Sequence, residues 1–380
     1  MCCRVRRSYA ARVRVCVPTS DPSAAKRRTV RVTGLEEGLA TAKPVLLSPG
    51  FNRANNCVWV DVALGRTPTS GSFWPATVKP KNSVAVNRPV EDKRAQPVEM
   101  VGSLLTVSTV IAEFGTVPAK EAQTEAKRSV PKAILLNDNL GEAYALLGAL
   151  QGVFEFDWAG GDRSFQRALD LSPGSVPVLR RHAWHRLVSA LQFDEAINEM
   201  RQAEAQDPLS PLIHMWFGLV YLAARDYRRA AEQCRVALEL ADGLHPARWF
   251  LGTALIFQGK PDAAVAECRR VYEAWGGHPM VTGGMILVYG LTGLGDEARS
   301  LSDELFRTAR STPVPPTALA WAYLGLQDDR VFEWLEKATD GRDPAITHLG
   351  VMPMYDGIRQ DSRFRNLLSK MGLDEDQSSA

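Results

Sequence analysis

The sequence contains few cysteines, six in 380 residues, and none of them belongs to a Cys-x-x-Cys pair. So small a number excludes the disulfide framework of a small secreted protein. It predicts a reducing, cytoplasmic compartment, because disulfide-rich chains belong to oxidising ones. Cys234 and Cys268 are predicted to be buried apolar residues, since a free cysteine packs as a small hydrophobic side chain. A zinc pair or a disulfide is the alternative for these two residues.

Long apolar runs are also missing. The first 20 residues are rich in arginine and have no continuous apolar core, which excludes a secretory signal and leaves a faint compositional similarity to a transit peptide. The longest uncharged stretch, 276–295, holds seven glycines and too few aliphatic residues for a membrane helix. The sequence therefore predicts no membrane partner.

Motifs that carry catalysis are absent as well. The sequence has no Gly-x-Ser-x-Gly elbow, no His-Glu-x-x-His pair and no kinase signature. The glycines of 290–298 lack the Lys-Ser/Thr ending of a phosphate-binding loop and are predicted to form a turn between helices. Ser129 and Lys132 have Ser-x-x-Lys spacing without the companion motifs of that serine chemistry. We therefore predict a protein that is not an enzyme and has no cofactor, metal or small-molecule substrate.

Six histidines are the remaining candidates for metal binding or proton transfer. His182 and His185 share a predicted helix face, but no carboxylate or cysteine nearby in the sequence completes a ligand set. His245 and His278 each precede a proline at a predicted helix start, where proline is favoured. Structural or surface roles are predicted for these histidines.

The net charge of +2 conceals an uneven distribution. Residues 1–100 contain 17 Lys/Arg and 7 Asp/Glu, whereas residues 101–380 contain 28 and 36. The basic part has short β-prone pieces, such as 57–64, that are broken by prolines, so residues 1–118 are predicted to be largely disordered. A solvated tail is one interpretation. The other is an arm that binds nucleic acid through phosphate, although no aromatic interleaving or helix-turn-helix pattern accompanies its arginines.

From about residue 119 the sequence repeats with a period of 34. Ala196, Ala230, Ala264 and Ala298 form one ladder at that interval. A second ladder runs in step with it at intervals of 33–35 residues and consists of Ala133, Ala168, Ala203, Ala237, Val271, Leu305 and Ala338. Such a period fits two antiparallel helices of about 12–14 residues with two turns. A small residue at the ladder position allows the two helix backbones to approach closely.

These residues resemble the tetratricopeptide repeat. The copy at 211–242 carries the Phe217–Gly218 step, an aromatic at Tyr221 and the Asp226–Tyr227 turn. Further copies occupy 141–173, 177–208, 245–276, 279–310 and 317–341, and residues 119–137 form a lone second helix. The resemblance implies an all-α fold, a right-handed solenoid of antiparallel helix pairs. Its domains are a basic N-terminal region at 1–118, an array of about six units at 119–341, and a capping segment and tail at 342–380.

The repeats depart from the family pattern at three places. Trp184 and Ile286 replace the small residue expected at the closest helix contact, so the packing there is predicted to be wider or shifted. The Gly283–Gly284 pair lowers helix propensity by roughly 1 kcal/mol per residue and marks the softest unit.

Residues 331–373 are similar to the closing segment of many bacterial tetratricopeptide proteins. Phe332–Ala338 and Arg359–Leu373 match that pattern, whereas Met354 and Gly357 stand where it usually has Arg and Pro. In that group the array often follows a winged-helix DNA-binding domain, a kinase or a nucleotide cyclase, and none of these is recognisable in 1–100. The resemblance implies a scaffold in bacterial signalling or regulation. A DNA-associated regulator and a detached arm of a kinase or adenylate cyclase system are the alternatives.

The resemblance further implies that the first helices line a concave groove for a peptide or helix of a protein partner. By the repeat register the candidate groove residues are Arg181, His185, Met215, Leu219, Leu222, Trp249, Thr253, Ile256, Phe257 and Leu287. The Lys and Asn of family members that grip a peptide carboxylate are not present there, and an apolar groove suits an amphipathic helix or an apolar segment. The alternative is that the chain's own helix at 362–372 partly fills the groove.

Overall fold

The computed structural model describes residues 8–16, 27–36, 60–62 and 119–373. The chain divides into two compact units. One comprises residues 1–93 with 274–276, and the other comprises residues 94–273 with 277–380.

The described residues of the first unit form three antiparallel strands: β1 at Ser8–Cys16, β2 at Arg27–Glu36 and β3 at Val60–Val62. They pair in the order β2-β1-β3, with Val13 of β1 opposite residues of both neighbours. The alternation of arginine and valine in β1 has the period of two that a strand requires. These segments are thus strands where the sequence predicts disorder, while the rest of that prediction for 1–118 lies outside the described residues.

The described residues of the second unit, 119–273 and 277–373, form helices and the turns between them. Two π-helical turns, Gln151–Glu155 and Ala183–Leu187, continue the helices that end at Leu150 and His182, and two 3-10 turns lie at Pro344–Ile346 and Pro353–Ile358. The helices are α1 Ala119–Leu136, α2 Gly141–Leu150, α3 Trp158–Leu171, α4 Val176–His182, α5 Phe193–Gln206, α6 Pro211–Ala223, α7 Tyr227–Leu240, α8 His245–Phe257, α9 Pro261–Ala274, α10 Pro279–Leu291, α11 Gly295–Thr308, α12 Pro316–Gly325, α13 Val331–Asp340 and α14 Ser362–Lys370. The predicted all-α solenoid of helix pairs is confirmed. Within these described helices, none is both long enough and apolar enough to cross a bilayer.

Each helix pair turns on a residue with left-handed backbone conformation. The first pair has Phe156 at this place. The later pairs have Leu191, Arg225, Gly259, Gly293 and Gln327, which follow one another at intervals of 34 residues. Two of these are glycines, for which a positive φ has no steric cost, whereas Leu191, Arg225 and Gln327 adopt it against their own preference. The glycine-rich stretch 290–298 accordingly forms the turn between α10 and α11.

Both ladders lie inside the helix pairs. Every ladder residue from Ala133 to Ala338 exposes 2% of its surface or less. The opposing helix offers a glycine at three of these contacts, with Ala168, Ala230 and Ala264. A Cβ on Gly218, for example, would lie 2.7 Å from Cys234 Sγ and 3.1 Å from the Ala230 carbonyl oxygen. Backbone therefore meets backbone across the pair, as the period of 34 predicts.

The packing shifts where Trp184 and Ile286 stand. At Trp184 the helix opens into the π-helical turn. Near Ile286 the first helices α10 and α12 pack directly on each other, and a Cβ on Gly325 would lie 2.7 Å from Leu287 Cα. A Cβ on Gly283 would likewise lie 2.9 Å from Ala318 Cα. Gly283 is thus required by contact with α12, which offsets its low helix propensity.

Candidate functional site

All ten candidate groove residues lie on first helices or in the turn that continues one. Arg181 is in α4, and His185 lies in the π-helical turn after it. α6 carries Met215, Leu219 and Leu222, α8 carries Trp249, Thr253, Ile256 and Phe257, and α10 carries Leu287. The side of these helices that bears Trp184, Met215, Trp249 and Leu287 is called the first-helix face below.

Most of these side chains are covered. Seven are buried, namely Arg181, His185, Met215, Leu219, Leu222, Thr253 and Leu287. Trp249, Ile256 and Phe257 are half-buried. Phe257 stacks on Tyr227 of α7 with ring centroids 5.2 Å apart, so it contacts the second helix of the preceding pair. The other nine candidate residues lie on the first-helix face, and part of their cover comes from outside the repeat helices.

The cover is a stretch of the same chain, residues 344–358, which we call the terminal segment. Its two 3-10 turns are joined by residues 347–352. Ile346, Leu349 and Tyr355 within it are buried against the last repeat and the helix at 362–370, whereas Val351, with Met352 beside it, packs into the cluster that contains α6. The first-helix face is therefore occupied by the chain itself.

His348 is the first anchor of the terminal segment. Its ring stacks on the Trp184 indole with centroids 3.9 Å apart and an interplanar angle of 27°. Its Nε2 donates a hydrogen bond of 2.9 Å to the Trp184 carbonyl oxygen. Burial lowers the pKa of His348 to about 4, so the ring is neutral near pH 7 and keeps the single N–H that this bond needs.

Basic side chains surround that anchor. Arg180, Arg181 and His185 are all buried, and the His185 ring lies 6.1 Å from the His348 ring. Burial lowers the pKa of His185 well below its ordinary value, and the nearby His348, Arg180 and Arg181 lower it further. The Arg180 guanidinium lies 5.0 Å from the centre of the Trp216 ring. This end of the face disfavours any additional positive charge.

Val351 is the second anchor. It belongs to the buried cluster that contains Met215, Leu219 and Leu222, and Met352 packs against the same cluster. Burying a valine side chain completely stabilises a fold by about 1.5–3 kcal/mol relative to leaving it exposed. A hydrophobic group from outside the repeats thus joins the buried cluster to which three candidate residues on α6 belong.

Met354 lines the third contact area, a small apolar pocket. The pocket is shallow and partly open to solvent. Its lining comes from α8, α10, α12 and the terminal segment and consists of Trp249, Thr253, Ile256, Gly284, Leu287, Val288, Leu291, Trp321 and Met354. Four of the ten candidate residues are therefore brought together here, beside a flexible thioether that adapts well to irregular gaps.

Three polar contacts complete the terminal segment. Trp321 Nε1 donates a hydrogen bond of 2.8 Å to the Tyr355 hydroxyl. Arg225 Nη2 lies 2.7 Å from Asp356 Oδ1, and these two side chains are 35% and 47% exposed. Arg359 also binds Asp356, with Nη2 at 2.8 Å. The carboxylate at this end is held by two arginines at the protein surface.

The helix at 362–372, the alternative occupant expected from the sequence, does not lie on the first-helix face. Phe364 and Leu367 of α14 are buried in one cluster with Leu335 of α13, so this helix packs on the last repeat. Just beyond it, the Met371 carbonyl oxygen accepts a hydrogen bond of 2.7 Å from Trp158 Nε1 of α3. The helix therefore caps the last repeat, and the first-helix face is filled by the terminal segment that precedes it.

Sequence reasoning passed over the terminal segment because no helical periodicity marks it. A signal is nevertheless present: residues 346–355 form an uncharged run between Asp343 and Asp356. Such a run outside the repeats has to be buried somewhere, and the repeats offer an apolar face for it.

The two cysteines of the repeats lie in the core. Cys234 and Cys268 are free and buried, and each thiol faces a glycine of the first helix, Gly218 and Gly252 respectively. Burial raises the pKa of Cys234 to about 12 and that of Cys268 further still. Neither thiol is available as a thiolate at neutral pH.

Two of the histidines outside the terminal segment, His182 and His214, make local contacts. His182 Nδ1 lies 2.8 Å from Glu199 Oε1. His214 Nδ1 lies 2.6 Å from Gln233 Oε1, and its Nε2 lies 2.8 Å from the Pro208 carbonyl oxygen. Within the described ranges, no three His, Cys, Asp or Glu side chains come close enough to hold a metal ion.

Comparison with known proteins yields similarity at the level of the fold. No protein-family model matches the sequence, and no curated protein matches it significantly. A tetratricopeptide repeat protein from Parabacteroides merdae is 16% identical over 73% of this chain and 99% of its own, with a TM-score of 0.45. For PilF from Pseudomonas aeruginosa these values are 17%, 58%, 95% and 0.42. For TTC0263, a tetratricopeptide repeat protein from Thermus thermophilus, they are 18%, 48%, 91% and 0.37.

Proposed function

We propose that this protein is a non-enzymatic scaffold that binds an apolar segment of a protein partner on its first-helix face. One observation carries the proposal: the face already holds a polypeptide segment by ring stacking, apolar burial and hydrogen bonds. A surface that accommodates residues 344–358 has the shape and chemistry to accommodate a comparable stretch of another chain. Bacterial signalling or regulation in the cytoplasm is the setting we propose for it.

The side chains that could otherwise support catalysis favour this proposal. His348 is committed to Trp184, and the thiols of Cys234 and Cys268 are packed against glycines. Their perturbed pKa values follow from burial in the fold. In the described part of the chain, the reactive groups serve packing.

Trp249 is the residue through which the proposal is best tested. It is half-buried and lines the pocket beside Met354, a position typical of an aromatic anchor in an interface. We expect Trp249→Ala to weaken partner binding by roughly tenfold or more, the usual effect of losing such an anchor, and to lower the melting temperature less markedly. Cross-linking mass spectrometry of the full chain in a cell lysate measures the first, and thermal melting measures the second.

Phe257→Ala is the matched control. Phe257 is also a half-buried aromatic residue of α8, but it stacks on Tyr227 and does not line the pocket. Cross-links from partner proteins should map to the first-helix face in the parent and in Phe257→Ala, and should disappear in Trp249→Ala. Equal loss in both variants, in step with their melting temperatures, would show that Trp249 is a core residue only.

A further inference from the structure

The terminal segment occupies the first-helix face as a ligand would. We infer that residues 344–358 are an intramolecular substitute for the partner, and that the partner binds by displacing them with a segment of the same chemistry. That chemistry is an uncharged stretch bearing methionine and tyrosine, followed by one carboxylate. The inference rests on the proposed function and adds to it the kind of partner and the way in which the face is opened.

The anchors of the terminal segment specify this partner. His348 needs a neutral ring against Trp184, and the buried Arg180, Arg181 and His185 around it disfavour a lysine or arginine at that end. The middle of the face takes apolar groups at the cluster of Val351 and at the pocket of Met354. The far end takes a carboxylate, because Arg225 meets it there. A segment that fits the face is thus neutral at its start and carries a negative charge at its far end.

The segment is secured unequally at its two ends. At the start, the Asp343 carboxylate accepts hydrogen bonds from Thr317 Oγ1 at 2.6 Å and from the Ala345 amide at 3.0 Å. At the far end, Asp356 and Gly357 are exposed, and a Cβ on Gly357 would meet no atom within 4 Å. Release therefore begins at Asp356, where the exposed ion pairs with Arg225 and Arg359 are the outermost contacts.

Competition with a tethered segment sets the affinity of the partner. A segment joined to its own receptor acts at an effective concentration of about millimolar for short connections. An external segment with the same contacts then binds weakly, and its apparent affinity rises when the tethered one is loosened. Changes at the Arg225–Asp356 pair should consequently alter the affinity for a free peptide. Whether the affinity rises or falls should depend on the charges that the change places on the chain and on the peptide.

The test uses the full chain and two fluorescent synthetic peptides. One has the sequence of residues 344–359, PAITHLGVMPMYDGIR, and the other has Lys in place of Asp356. Arg225→Glu loosens the tethered segment and also reverses the charge that the peptide meets. This variant should therefore bind the lysine peptide about fivefold more tightly than the parental peptide, which is the effect expected from gaining one exposed ion pair. Asp356→Lys in the chain keeps Arg225 and should instead bind the parental peptide about fivefold more tightly than the unmodified chain does.

Arg228→Glu is the matched control, because Arg228 makes a similar exposed ion pair with Glu232, at 2.8 Å, within α7. It should show the peptide preference of the unmodified chain. The inference is overturned when neither peptide binds any variant up to millimolar concentration, when Arg225→Glu does not distinguish the peptides, or when Arg228→Glu shifts the preference as strongly as Arg225→Glu. In those cases the proposed function still stands if partner cross-links depend on Trp249. Peptide binding without such cross-links would point to failure of the proposed function alone.

Discussion

Gly218 gives the sharpest prediction about how the repeats are held together. It stands in the middle of α6, where alanine would ordinarily raise helix stability by about 1 kcal/mol. A methyl group at this position would instead lie 2.7 Å from Cys234 Sγ and 3.1 Å from the Ala230 carbonyl oxygen. Because ordinary contact between such atoms is about 3.5–4.0 Å, α6 and α7 would have to move apart by close to 1 Å.

The cost of that movement decides the sign of the effect. Overpacking a well-packed core destabilises by about 1–3 kcal/mol, and one of the two clashing groups is backbone, which has no rotamer to escape into. We therefore expect Gly218→Ala to lower the free energy of unfolding by about 1–2 kcal/mol in spite of the propensity gain.

Urea unfolding of the full chain, followed by circular dichroism, measures this change. In the Cys234→Ala background the sulfur is gone and only the contact with the Ala230 carbonyl oxygen remains, so Gly218→Ala should cost less by at least about 1 kcal/mol. Gly174→Ala is the control, since its methyl group would meet no atom within 4 Å. The reasoning is refuted if Gly218→Ala unfolds at the same urea concentration as the parent, or if Cys234→Ala does not change its effect.

Two further predictions concern the ladder and the terminal segment. Ala264→Leu should destabilise by about 1–3 kcal/mol, because Ala264 is fully buried against α8 and a larger side chain overpacks the pair; thermal melting equal to that of the parent would contradict the ladder. Stability should also fall with acidity: the pKa of His348 is about 4 in the fold, against an ordinary value of 6.5, so its contribution is complete above pH 6.5 and is lost as the pH falls towards 4, by roughly 3 kcal/mol. His348→Gln, which keeps a donor for the Trp184 carbonyl, should reduce this pH dependence in urea titrations between pH 4 and 7 and leave the part that comes from buried His185, whose pKa is also lowered. An unchanged slope would exclude His348 as a source.

Much of the fold could be predicted because the ladder is a steric requirement that repeats along the chain. Ala196, Ala230 and Ala264 mark the same close helix contact in successive pairs, and their spacing alone sets the repeat length. The direct packing of α10 on α12 could not be predicted from such a spacing. It depends on glycines in different repeats, such as Gly283 and Gly325, whose partners are fixed only once the helices pack.

The candidate site could be predicted only in part. Repeat register places Met215, Trp249 and Leu287 on first helices because position within a period determines the face of a helix. Register says nothing about what covers that face. The terminal segment follows no helical period, and its contact with Trp184 joins positions that are 164 residues apart, a separation that local patterns do not encode.

The closing contacts of the chain also affect how the array unfolds. An array in which each repeat touches only its neighbours behaves as a one-dimensional chain of units that fray from either end. Here the hydrogen bond from Trp158 to Met371 joins residues 213 positions apart, and so links the first helix pair to the end of the described chain. Because the entropic cost of closing a loop grows only slowly with its length, this ring-like connection is not excluded by its span. The outermost repeats, ordinarily the first to melt, are thereby made to open together.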